Sequence, residues 1–203
     1  ISGDYNTLDL DYVWVKAPQF SFHRLKGADP KLGIEMASTG EVGCIWENIH
    51  EAFLSAMVSV GVKIPKKSIM VSLGWAEDKA EFLESLKILL KLGYTVYTTS
   101  WNNKYFEKYG CKTKHVNKLS ESEKNNALTL MEDGKLDLLI NTLTESDEKK
   151  ELSDGYHLRR SAVDKGLSLI NNIKVAKLFV ESLEYLDNKK ALDIKSYCEI
   201  VNK

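Results

Sequence analysis

The sequence predicts an α/β fold, an open parallel five-stranded sheet with helices on both faces, preceded by a smaller piece of different character. Three observations predict it. From Ile69 onward, short β-branched and apolar runs alternate with stretches whose apolar residues recur at helical spacing. Glycines stand where helices should stop, at Gly61, Gly93 and Gly134. The run Ile69-Met70-Val71-Ser72-Leu73 is apolar with little alternation, as a parallel strand covered on both faces is.

Taken in order, Tyr12-Val13-Trp14-Val15 reads as a short strand stopped by Pro18, with Phe20 and Phe22 alternating after it as a second strand. Gly27-Ala28-Asp29-Pro30 and Gly33 are turn chemistry. Residues Glu35 to Val42 are polar and irregular. Ile45, Ile49, Phe53, Ala56, Met57 and Val60 fall at helix spacing, and Ile64-Pro65-Lys66-Lys67 reads as a linker. After the strand at Ile69, Phe82, Leu83, Leu86, Leu89 and Leu90 form a helical stripe closed by Gly93. Tyr94 to Thr98 is a second strand, followed at once by Thr99-Ser100-Trp101-Asn102-Asn103 and a helix carrying Tyr105 and Phe106. Lys112 to Val116 is a weak third strand, Ser120 to Asp133 a helix, and Leu136 to Asn141 a strong fourth strand. A charged loop spans Thr144 to Asp154. Then come a helix over Tyr156 to Asp164, a fifth strand at Leu167 to Ile170 and a closing helix over Ile173 to Leu186.

Composition bounds the function. At 203 residues there is room for one full domain and a fragment, given domains of roughly 100–150 residues. With 28 basic against 29 acidic residues and no single-sign block, no nucleic-acid or anionic-membrane partner is expected. No apolar run approaches the roughly 20 residues that span a bilayer, so a soluble protein is expected. Cys44, Cys111 and Cys198 are odd in number and widely spaced, which suggests neither a disulfide framework nor a zinc site. The first residues carry no signal-peptide pattern, and a chain opening on Ile1 is read as a fragment.

Polar groups stand at matching places after four strands: Ser72, then Thr98 to Asn102, then Lys118, then Asn141-Thr142. In a doubly wound sheet these share one edge, where hydroxyls, amides and helix N-termini hold anions. Lys79, in the first helix after strand one, adds a second ammonium group beside Lys118. Trp75 and Trp101 lie in the same loops and either stack on a planar ligand or cap the sheet. Arg159-Arg160 opens a helix in which one arginine is expected to pair with a carboxylate. His23, His50, His115 and His157 fall on four different elements, so no nucleophile, base and orienter set presents itself. His115 and Cys111 are two candidates, too few for a metal site.

The strings Val15-Lys16-Ala17-Pro18-Gln19-Phe20-Ser21-Phe22, Gly27-Ala28-Asp29-Pro30 and Glu35-Met36-Ala37-Ser38-Thr39-Gly40-Glu41-Val42 resemble the end of the second ATP-grasp unit of carbamoyl-phosphate synthase large chains. Lys63-Ile64-Pro65, Leu138-Leu139-Ile140-Asn141-Thr142, Leu158-Arg159-Arg160-Ser161-Ala162-Val163-Asp164 and Val175-Ala176-Lys177-Leu178-Phe179-Val180-Glu181 are similar to the methylglyoxal-synthase-like allosteric domain that follows it. Trp46-Glu47-Asn48-Ile49-His50-Glu51-Ala52-Phe53-Leu54 and the tail with Lys195-Ser196-Tyr197 look most like the ammonia-dependent mitochondrial type of the urea cycle.

The resemblance implies an ATP-grasp remnant over 1–64, an effector-binding domain over 65–187 and a tail over 188–203. It implies regulation of ATP-dependent carbamoyl phosphate formation by a parent chain that holds ATP and magnesium, with no cofactor and no catalytic residue in this piece. The implied effector is N-acetyl-L-glutamate or a nucleotide, expected at Ser72, Lys79, Thr99, Asn102, Lys118, Asn141 and Thr144. Thr99 and Asn141 match both effector classes, whereas Lys79 and Lys118 fit the nucleotide pattern, and Lys118 stands where the acetylglutamate-responsive type has Trp. The implied place is the mitochondrial matrix for the urea-cycle type and the cytoplasm otherwise. Two other expectations differ in kind: a stand-alone structural or storage protein descended from the fragment, and a lyase acting on a triose phosphate. The His-Asp pair and glycine-rich loop of true methylglyoxal synthases are not reproduced in Ser72 to Asp78 or after Asn141.

Overall fold

The computed structural model describes residues 11–30, 38–121, 125–143, 153–189 and 192. The chain opens with a two-stranded antiparallel ribbon, β1 (Val13–Gln19) and β2 (Gly40–Trp46), in which Val13 faces Trp46 and Gln19 faces Gly40. This differs from the expected strand pair at 12–15 and 20–22. Pro18 lies inside β1 opposite Glu41. In a ribbon each strand is an edge, where the missing N–H of a proline costs no central ladder bond. Phe20 and Phe22 instead meet in a turn with ring centroids 4.5 Å apart, followed by a single 3-10 turn at Phe22–Arg24. Residues 40–46, read as polar and then helical, form β2, because the partner strand supplies the pairing that the local pattern does not advertise.

Helix α1 (Ile49–Ser59) starts four residues later than Ile45, after Trp46, because Asn48 caps it and accepts the Glu51 N–H at 3.0 Å. It covers one face of the ribbon and buries Ala52, Phe53, Leu54 and Ala56.

The second part is the predicted sheet. Strands β3 (Ser68–Ser72), β4 (Thr95–Thr99), β5 (Lys114–Val116), β6 (Leu138–Asn141) and β7 (Ser168–Ile170) lie in the order β5-β4-β3-β6-β7, and every neighbouring pair is parallel. They are interleaved with α2 (Ala76–Glu81), α3 (Leu83–Lys91), α4 (Ser100–Glu107), α5 (Ala127–Glu132), α6 (Asp154–Asp164) and α7 (Ile173–Lys189). The period of two along each strand sorts the core into two layers. Ile69, Val71, Leu138 and Ile140 pack with Leu86, Leu89, Phe106 and Phe179 on one face. Met70, Leu139 and Val116 pack with Leu130, Met131, Leu158 and Ala162 on the other. Helices therefore cover both faces, as expected.

The helix expected over 120–133 is much shorter. Asn125 takes a left-handed φ of 53°, and Asn126 caps α5 with a reciprocal capping box to Thr129. Among the described residues, no helix is long and apolar enough to cross a membrane. The charged stretch at 144–152, most of the tail beyond 189 and Cys198 lie outside the described residues.

Strand order positions the site. The chain steps outward from β3 to β4 and β5, then returns to pair β6 with the other side of β3. That reversal opens a crevice beyond the carboxyl ends of β3 and β6. At the opposite end, Asp137 accepts the N–H groups of Lys67 and Ser68 at 2.7 and 2.8 Å and ties the starts of the same two strands together.

Candidate functional site

A cavity of about 600 Å³ lies at the strand reversal, within the range of small-molecule sites. Its lining brings together six of the seven residues expected from the sequence: Ser72, Lys79, Thr99, Asn102, Lys118 and Asn141. The seventh, Thr144, lies outside the described residues. β3 delivers Ser72 at its last position, β4 ends on Thr99, and β6 ends on Asn141, which stands opposite Ser72 in the ladder.

The side chains divide into those that hold the walls and those that face the space. Asn102 accepts the Leu73 N–H at 3.1 Å and donates to the Leu73 carbonyl and to Thr99 Oγ1, so both N–H groups of its amide are engaged. Asn141 donates to the Ser72 carbonyl at 3.1 Å and accepts from Arg159 Nη1 at 2.8 Å. Thr142 Oγ1 accepts the Gly74 N–H at 3.1 Å. Among the described residues both threonine oxygens act as acceptors, which leaves the hydroxyl protons of Thr99 and Thr142 for a ligand. The N-cap of α4, Thr99, makes no side-chain capping bond, and the first-turn residues Trp101 and Asn102 line the cavity. A helix start in that condition favours an anion.

Electrostatics agree with the donor chemistry. Lys79 donates to the carbonyls of Gly74 and Trp75 at 3.1 and 3.3 Å. Burial lowers its pKa from the ordinary ammonium value, Asp78 pulls it back up, and the positive charge of Lys118 lowers it further. Two ammonium groups on the wall of one crevice are chemistry that suits an anion. Among the described residues Lys118 makes no ion pair; its backbone N–H donates to Glu121 at 3.0 Å. Among the described residues one acid stands on the wall: Asp154, which accepts from the Ser120 hydroxyl at 2.7 Å.

Trp101 is 71% exposed and lines the rim without filling the hollow. Trp75 precedes α2 and does not line the cavity. Both arginines of the pair find carboxylates, Arg159 with Asp29 and Arg160 with Asp164, where one such pairing was expected. Cys111 is buried, and His115 instead meets Ser100 Oγ at 2.8 Å. Among the described residues, no group of three His, Cys, Asp or Glu side chains is placed to hold a metal ion. The strand-end rule already reaches Thr142 beside Asn141, whereas Ser120 and Asp154 are wall residues that sequence reasoning missed; Asp154 depends on how α6 returns to the sheet.

Residues 81–171 match the MGS-like domain family. The chain carries an MGS-like domain. It is similar to multifunctional protein ura1 of Schizosaccharomyces pombe, 42% identical over 187 residues that cover 88% of this chain and 8% of that protein. Multifunctional protein CAD of Squalus acanthias is 43% identical over 84% of this chain and 8% of its own length. Mitochondrial carbamoyl-phosphate synthase [ammonia] of Homo sapiens is 37% identical over 96% of this chain and 13% of its own length. The chain thus spans about a tenth of the length of these relatives. The alignment to the human protein takes in the ribbon as well as the sheet that bears the MGS-like domain.

Proposed function

We propose that this MGS-like domain is the effector-binding regulatory region of a carbamoyl-phosphate synthase. Its crevice receives a small anion, N-acetyl-L-glutamate or a nucleotide, and controls ATP-dependent carbamoyl phosphate formation by the parent chain. The observation that carries the reading is the convergence of Lys79, Lys118 and the uncapped start of α4 on one cavity at the strand reversal. The relatives that match it are named as carbamoyl-phosphate synthases or as multifunctional proteins, which supports a role inside a larger enzyme. In this reading residues 1–64 are the remnant of the upstream ATP-grasp domain, 65–187 the effector domain and 188–203 a tail. The piece contributes no catalytic group, and the parent holds ATP and magnesium. The parent resides in the mitochondrial matrix if it is of the urea-cycle type and in the cytoplasm if it belongs with the multifunctional proteins.

Regulation follows if the anion binds one arrangement of the parent better than another, since a ligand shifts an equilibrium only by its differential affinity. Calorimetric titration with N-acetylglutamate, uridine monophosphate and inosine monophosphate tests the first step. Saturable heat with one of them is expected, with affinity weakened about tenfold or more in Lys118→Met, as loss of a charge-assisted contact worth roughly 1.5–3 kcal/mol requires. No heat with any of the three removes the reading.

A further inference from the structure

Two stretches far apart in the chain meet behind the crevice. Arg159, fully buried on α6, donates through Nη1 to Asn141 Oδ1 at 2.8 Å, and through Nε and Nη2 to the two carboxylate oxygens of Asp29 at 2.8 and 2.7 Å. Its planar fork therefore grips the turn at 27–30 with one edge and a crevice residue with the other. The same helix reinforces the grip. Arg160 Nη1 donates to the carbonyls of Phe22, Leu25 and Ala28 at 3.1, 3.1 and 3.0 Å, and the Tyr156 hydroxyl donates to the Gly27 carbonyl at 2.8 Å. At its N-terminal end α6 turns Asp154, Gly155 and Leu158 to the cavity.

We infer that Arg159 is a positioning residue that couples the crevice to the 22–30 segment, transmitting through Asn141 on one side and Asp29 on the other. Mere attachment of the segment does not call for this arrangement. A buried ion pair adds little stability over apolar packing, whereas its bidentate geometry fixes orientation. Asn141 in turn is bonded to the Ser72 carbonyl at the end of β3, so a shift of the guanidinium moves the crevice floor. Coupling is reciprocal: whatever reorients Asn141 is felt at Asp29, and the reverse. By comparison, α1 holds α7 through His50 with Ser182 and Glu51 with Lys189, and contributes no residue to the cavity lining. The inference rests on the receptor reading only for what occupies the crevice.

The test is two-dimensional amide NMR on the whole chain with Asp29→Asn, which keeps the shape and removes the charge. The expected result is a shift of the Asn141 side-chain amide and of the Gly74 and Thr142 backbone signals, although Asp29 itself does not line the cavity. The control is Asn171→Ala, which removes a different tie to the same segment, from Asn171 Nδ2 to the Pro30 carbonyl at 2.8 Å, without touching Arg159. It should lower the melting temperature and leave the crevice signals in place. Signals confined to 22–30 and α6 in Asp29→Asn, or equal crevice shifts in both variants, would overturn the inference. If Asp29→Asn fails to fold, Asp29→Glu, which displaces the carboxylate by one methylene, gives the same readout. With uridine monophosphate as probe, Asp29→Asn should also change affinity by about fivefold or more. A wild-type chain that binds no probe defeats the receptor reading, while the variant spectra still decide the coupling.

Discussion

Lys79 shows how one side chain reports the purpose of its surroundings. Its folded pKa is lowered, chiefly by burial, so the protonated form is less welcome in the folded than in the unfolded chain. The sign follows from linkage: protonated Lys79 costs stability at neutral pH, and the cost fades as pH rises through its lowered value toward the ordinary ammonium range. Lys79→Met should therefore raise the melting temperature at neutral pH, with a smaller gain at strongly alkaline pH, while weakening anion binding. Effector affinity in the wild type should fall on the alkaline side earlier than an ordinary surface lysine would dictate. Thermal scans and titrations across that range check both. Asp137 carries the opposite sign. Burial pushes its carboxyl up, but the N–H groups of Ser68, Lys67 and Lys66 together hold it below the usual carboxylate range. Its contribution is present above the unfolded value and is lost as pH falls through the folded one. Asp137→Ala leaves the Lys67 and Ser68 donors without that acceptor and should cost about 1–3 kcal/mol at neutral pH, with a shallower acid limb in the pH profile of denaturant unfolding. At this scale the sequence was legible where chemistry follows strand ends: Ser72, Thr99, Lys118 and Asn141 were all readable as rim residues. The partner of Arg159 was not, because Asp29 lies 130 positions away and no local pattern links them.

At the scale of elements, agreement tracks how strongly the local signal coincides with the tertiary demand. The apolar runs of β3 and β6 and the stripe of α3 were plain in the sequence, since burial on both faces leaves no alternative pattern. The ribbon was misread because β2 is Gly-bearing and mixed in polarity, and gains its conformation from pairing with β1 and covering by α1. The expected long helix before Gly134 shrank to α5 because Asn125 and Asn126 set its start, a capping signal present in the sequence but masked by the surrounding helix formers. Asn126→Ala should remove the Oδ1 acceptor of the Thr129 N–H, leave the bond from its own backbone N–H to Thr129 Oγ1, and cost about 1 kcal/mol, read as a lower denaturant midpoint with unchanged slope. A slope that changes as well would mean that α5 does more than terminate a turn.

For the whole molecule, the strand order β5-β4-β3-β6-β7 is what turns scattered polar residues into a cavity. Alternation of strands and helices implied a parallel sheet, but order depends on which sides of β3 the later strands occupy, and periodicity carries no such information. The ribbon and α1 add a second layer against α7, and the arginines of α6 fasten the 22–30 segment to the sheet that holds the crevice. In the proposed reading, a wall of the receptor and the lever share one helix.

The most direct measurement is a crystal structure of the chain grown with saturating N-acetylglutamate or uridine monophosphate. Density for the anion between Lys79, Lys118, Thr99 and the start of α4 is the predicted result. An empty crevice at saturation, or density only elsewhere on the protein, would contradict the account.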